Sequence, residues 1–224
     1  MNEEVLTAKF EAAEGARKRE RNDEAIRLYG EVVEHSSGPL RQRAMQMLGV
    51  SLSQNDNQAG AIRTLADLLS ERLDDALLGN VRRDYGNALS KAKRYDEAAR
   101  QFDQSLDLLL KVGDRVGVAA THYFQARNLF RQGQAAAALK LAEQAAGELA
   151  PLDAPEVKLY CDLCLARLYA ANHQPEEARE LAERAEKAAE VYGGEAHVTR
   201  AKLIAELAER PEELEKRLAE KPQA

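Results

Sequence analysis

Small residues recur in this chain in pairs set twelve positions apart: Ala13 with Ala25, Gly49 with Ala61, Gly86 with Ala98, Ala126 with Ala138, and Ala166 with Ala178. The offset within each pair is constant, whereas successive first members lie 36, 37, 40 and 40 residues apart. A constant internal offset under a variable spacing describes five copies of one local unit joined by links of unequal length. Self-similarity of this kind restricts a chain to repeat architectures, in which each unit buries its apolar face against the next.

The unit itself is read most clearly from Tyr85 to Leu108. Gly86 and Leu89 share one helical face, a short polar break follows, and Ala98, Phe102 and Leu106 return at helical spacing. The pattern predicts two amphipathic helices joined by a tight turn. Composition agrees: Ala, Leu, Glu and Arg are strong helix formers, and aromatic residues make up only 5% with no Trp, so an all-α chain is expected. Small residues at both members of a pair let the first helix cross the second closely, since a bulky side chain there separates the backbones. Around the crossings the expected core is Leu52, Leu89, Leu129 and Tyr169 on first helices and Tyr29, Leu65 and Phe102 on second helices. In the fourth and fifth units Ala142 and Ala182 replace the large second-helix residue, so packing there must tighten or a neighbour must fill the space.

Punctuation divides the chain at the same places. Pro39, Pro155, Pro175 and Pro211 stand where a first helical turn begins, a position that suits a fixed φ and a missing N–H. Glu176, Glu177, Glu212 and Glu213 follow two of them and put negative charge at helix N-termini. Gly113-Asp114 reads as a C-terminal glycine followed by an N-cap. Links are expected at Ser36 to Pro39, Gly113 to Asp114, Ala150 to Pro155 and Gly193 to Glu195.

The Tyr85-Gly86, Leu89 and Tyr95-Asp96-Glu97-Ala98 of the central unit resemble the tetratricopeptide repeat. The later repeats, with Tyr169, Ala178 and the Gly194 to His197 link, are similar to the longer repeats of kinesin light chains and bacterial regulators. The resemblance implies a single all-α domain over residues 1–224, a right-handed α-solenoid of helix-turn-helix repeats. Its five repeats would span about residues 5–192, and Glu195 to Arg210 with Pro211 to Lys221 would form a C-terminal capping helix pair. It also implies a non-enzymatic adaptor or scaffold that holds a protein or peptide segment in a concave groove lined by the first helices.

One step off the buried stripe of those helices lie Arg17, Arg43, Arg83, Asn87, Tyr123, Arg127, Phe130, Tyr160 and Arg167, which are the expected peptide-binding residues. An arginine falls once per repeat, with Lys18, Lys91 and Arg131 beside the stripe, in a chain whose net charge is −6. Forked guanidinium donors and aromatic faces suit an acidic segment or a terminal carboxylate. Arg83 and Asn87 match part of the carboxylate clamp of chaperone-binding members of the family. Phe124 stands where the next repeat of such a clamp needs Asn, so only a general anion-holding role is carried over.

Other chemistry finds little support. The acidic balance argues against nucleic acid as a partner, and the usual nucleotide, zinc-protease and serine-nucleophile motifs are missing. Adjacent acids such as Asp74-Asp75 point to different helix faces. Cys161 and Cys164 lie one turn apart with no second pair and no clustered His, so metal, cofactor and catalytic residues are all expected to be none; His197 reads as a structural residue in a link. The acidic start lacks a secretory signal, and no apolar run reaches the ~18 residues of a membrane helix, so a cytoplasmic chain without a membrane partner is expected. A peptide-responsive regulatory sensor and a self-assembling module, for instance a homodimer, are the alternatives.

Overall fold

In the computed structural model residues 2–192 and 194–219 are described, and they form twelve α-helices with no strand among them. These are α1 (Glu3–Lys18), α2 (Asn22–His35), α3 (Gly38–Gln54), α4 (Gln58–Leu69), α5 (Asp75–Lys91), α6 (Tyr95–Val112), α7 (Arg115–Arg131), α8 (Ala135–Leu149), α9 (Pro155–Ala171), α10 (Pro175–Tyr192), α11 (Glu195–Glu206) and α12 (Pro211–Ala219). The expected Gly193 of the last link and the expected helix end at Lys221 lie outside the described residues. The helices gather into two compact units, Met1–Thr121 and His122–Ala224, divided within α7.

The constant twelve-residue offset has its cause in the turn inside each repeat. Seven positions after each anchoring small residue the backbone enters the left-handed region, at Glu20, Asp56, Lys93, Gly133 and His173, with φ of 57°, 60°, 64°, 79° and 59°. The next residue then donates its N–H back to a carbonyl five positions earlier: Arg21 to Ala16, Asn57 to Leu52, Arg94 to Leu89, Gln134 to Leu129 and Gln174 to Tyr169, at 2.9–3.0 Å. This is the Schellman ending of a helix, and repeating it five times sets the register of the second helix against the first. The links between repeats carry no such constraint and take up the variation in spacing.

Given that register, all ten small residues of the five pairs are buried. A Cβ on Gly49 would sit 2.5 Å from Leu65 Cγ, and one on Gly86 2.7 Å from Phe102 Cε1. The two glycines therefore accept large side chains from the second helix. In the fourth and fifth repeats both helices carry alanine, Ala126 and Ala166 on the first and Ala142 and Ala182 on the second, each fully buried. Tyr29, Leu65, Leu89 and Phe102 are fully buried as expected, and burial of each is worth about 1.5–3 kcal/mol. Leu52, Leu129 and Tyr169 are half-buried and pack against the core from its edge.

The ends of the helices follow the sequence closely. Pro39, Pro155, Pro175 and Pro211 all lie in first turns. Gly113 caps α6 at φ 73°, and Asp114 accepts a hydrogen bond from the Gly117 N–H at 2.8 Å. One link carries no proline or glycine and was not expected: α4 stops at Leu69, and Asp74 caps α5 by accepting from the Leu77 N–H at 2.7 Å. His197 lies in the first turn of α11, not in a link, and is buried.

Candidate functional site

In the first unit the expected binding residues are held by their own surroundings. Arg17 Nη2 donates to Glu14 Oε2 at 3.0 Å, and the other oxygen of Glu14 takes the Tyr29 hydroxyl. Burial would raise the Glu14 carboxyl, but these hydrogen bonds outweigh it and hold it below its ordinary value. Tyr29 in turn is pushed up, by burial and by the Glu14 carboxylate. The Phe10 ring stands edge-on to Tyr29, with centroids 5.5 Å apart, and the Arg43 guanidinium lies 5.5 Å from the Phe10 centroid. Arg83 directs its fork onto Asp84 Oδ1 at 3.1 and 3.2 Å and gives a further bond to Asn80.

The buried Asp84 also accepts from Gln46 Nε2 at 2.7 Å, and Lys91 Nζ donates to the Ser53 carbonyl at 2.5 Å. Both bonds run between α5 and α3, so this polar row fastens the first helices of neighbouring repeats to each other. Asn87 Oδ1, close by on α5, is buried without a hydrogen-bond partner among the described residues. The sequence makes this stretch basic, but Glu14 and Asp84 already answer Arg17 and Arg83.

The second unit is different. Arg127 lies over two rings of its own helix, 5.4 Å from the Tyr123 centroid and 5.7 Å from that of Phe124, and donates to the Tyr123 hydroxyl at 3.2 Å. On α9, Arg167 lies 4.9 Å from the centroid of Phe130. Arg131, one turn beyond Arg127, shares this environment. Burial, then the charges of Arg127 and Arg167, push its guanidinium down to about 9, so at neutral pH it stays protonated under repulsion. A carboxylate enters the group from α12. Glu215 accepts Arg167 Nε at 2.6 Å on one oxygen and Arg167 Nη2 on the other. Burial opposes the charge on Arg167, and the Glu215 hydrogen bonds more than offset that, holding it above its ordinary value.

Tyr123, Arg127, Phe130 and Arg167 are thus brought together, with Phe124 and Arg131 beside them. Tyr160 is drawn against His197 of α11, ring centroids 5.1 Å apart. Aromatic planes backing guanidinium groups keep the forks pre-organised and weakly hydrated, which suits them to carboxylate or phosphate oxygens. Cys161 and Cys164 are free thiols, and burial pushes both up, away from thiolate chemistry. Among the described residues no three His, Cys, Asp or Glu side chains form a metal-binding group.

Glu215 and Asp84 escape a sequence reading. Glu215 lies 48 residues from its partner in a helix whose charges look uniformly solvated, and Asp84 sits next to Arg83 with no pattern to show that it is buried. A further feature without a sequence signal is a cavity of about 310 Å³ lined mainly by apolar residues such as Ala146, Leu149, Leu159 and Tyr192, with Asp162 and Arg184 also in its wall.

Residues 77–146, spanning parts of α5 to α8, match the family model of the tetratricopeptide repeat. No curated protein matches the chain in sequence. Among solved structures, the Rap conjugation gene regulator of plasmid pLS20 in complex with the Phr* peptide is similar with a TM-score of 0.81 at 16% identity, over 96% of this chain and 62% of that one. Kinesin light chain-type repeats from Podosopora anserina match with a TM-score of 0.55 at 22% identity, over 83% of this chain and 96% of theirs. A thermophilic repeat protein of Thermus thermophilus matches with a TM-score of 0.65 at 18% identity, over 89% of this chain and 98% of that one. At these identities the likeness is one of fold, and this chain spans under two thirds of the Rap regulator.

Proposed function

We propose, for a chain whose residues 77–146 match the tetratricopeptide-repeat model and whose helices are similar in fold to repeat proteins, a non-enzymatic adaptor that binds an acidic segment of a partner protein. The observation that carries this reading is the set of three guanidiniums in the second unit: Arg127 over Tyr123 and Phe124, Arg167 over Phe130 and met by the carboxylate of Glu215, and Arg131 within reach of both their charges. A further acidic group from a partner would offset the positive charge gathered on Arg127, Arg131 and Arg167, and the rings would give its apolar neighbours a surface to rest on. Tyr160, and in the first unit Arg17, Arg43, Arg83 and Asn87, are assigned supporting contacts. Arg17 and Arg83 would have to exchange an internal carboxylate for an external one, so they contribute less. The cytoplasm is taken as the place of action, in keeping with two free, protonated thiols.

The test is binding of a fluorescein-labelled peptide of alternating glutamate and leucine, followed by anisotropy. Arg127→Ala is expected to weaken binding about tenfold, the scale of one charge-assisted contact, and Arg83→Ala by much less. Equal affinity for parent and Arg127→Ala would end this reading.

The peptide-bound Rap regulator favours a second reading, in which the same site senses a peptide and the helices rearrange on binding. A small-angle scattering profile that shifts on saturation with peptide would select it, and an unchanged profile would select the adaptor.

A further inference from the structure

The last helix has two properties that a mere end-cap does not need. It places a carboxylate on the arginine group, and a single described side chain of it is buried. Nine residues of α12 are described. Leu214 is its one buried residue among those described, with Leu218 half-buried beside it. A further attachment is the two-pronged pair of Glu215 with Arg167, in which 35% and 38% of the side chains stay accessible. The pair can therefore open without exposing a deep core, and opening it uncovers the guanidinium that lies over Phe130.

We propose that α12 is an internal ligand: Glu215 occupies the position that a carboxylate of an acidic partner segment takes on Arg167, and the partner binds by displacing it. This rests on the reading that the arginine group binds acidic segments. The affinity of the partner is then lowered by the work of displacing Glu215, and a bound partner lowers the protection of α12 by the same coupling. The competitor is part of the same chain, so its effect does not depend on protein concentration.

The test uses the full chain and the labelled peptide of alternating glutamate and leucine. Glu215→Gln keeps the shape of α12 and removes its charge. It is expected to bind the peptide about three- to tenfold more tightly than the parent, the range for a partly exposed forked pair. The gain should vanish in an Arg167→Gln background, which separates loss of the pair from a general loosening of α12. Hydrogen exchange supplies a second readout: saturating peptide should speed exchange of the α12 amides in the parent. Equal affinity in parent and Glu215→Gln, with α12 equally protected before and after peptide, would overturn the internal ligand and leave the binding site standing. Absence of peptide binding in both proteins would overturn the site and the internal ligand together.

Discussion

Lys93 shows what a single residue gives up for the repeat. It sits at φ 64°, a conformation disfavoured for any side chain with a Cβ, because the turn after α5 closes only that way. Gly133 holds the equivalent place in the fourth repeat without that cost. Lys93→Gly is therefore expected to raise stability by about 0.5–1 kcal/mol, and Gly133→Ala to lower it by a similar amount, both read from urea midpoints. Gly86 is the opposite case. A methyl there meets the Phe102 ring at 2.7 Å in a closely packed crossing, so Gly86→Ala should cost about 1–3 kcal/mol even though Ala serves at the same place in three other repeats. Glu14 adds a pH dependence. Its folded carboxyl lies below the unfolded value of about 4.3, so its contribution is complete above that value and is lost as pH falls through the folded one. Glu14→Gln should lose less stability than the parent between about pH 5 and pH 3, compared by denaturant titration at both.

At the scale of helices, the pairs α1/α2 to α9/α10 are each set by a Schellman turn, and α11/α12 is not. The chain leaves α11 at Leu207, Arg210 donates back to the Leu207 carbonyl at 2.8 Å, and no left-handed residue intervenes. The last pair is thus joined by a different turn from the five repeats, and α12 is the shortest of the described helices. Leu214→Ala, which removes its one buried side chain, is expected to release α12 amides to exchange by about 30-fold or more, given about 2–5 kcal/mol for such a truncation. The amides of α5 and α6 should be unaffected, because the apolar cluster around Leu214 includes no residue of either helix.

For the molecule as a whole, the charge is −6, yet three arginines meet in the second unit around aromatic rings. A local positive site on an acidic protein attracts acidic segments at short range while the remainder repels them. Binding of the glutamate-leucine peptide should therefore weaken as salt rises from about 0.05 to 0.5 M, where the Debye length shrinks below the spacing of separated charges. Affinity that does not change with salt would point to the rings and not the guanidiniums as the source of binding.

The sequence by itself determined the helix-pair repeat, the number of copies and the identity of the crossing residues. These depend on local periodicity, capping and side-chain size, all written in nearest neighbours along the chain. It also sets one arginine per repeat at Arg17, Arg43, Arg83, Arg127 and Arg167, a periodic quantity. Only the tertiary structure decided how each is engaged. Arg17 and Arg83 are answered by Glu14 and Asp84, whereas Arg127, Arg131 and Arg167 crowd together around aromatic rings. The carboxylate that meets Arg167 arrives from a helix 48 residues away. Electrostatic partnership follows distance in space, and no pattern along the chain encodes the distance between α9 and α12.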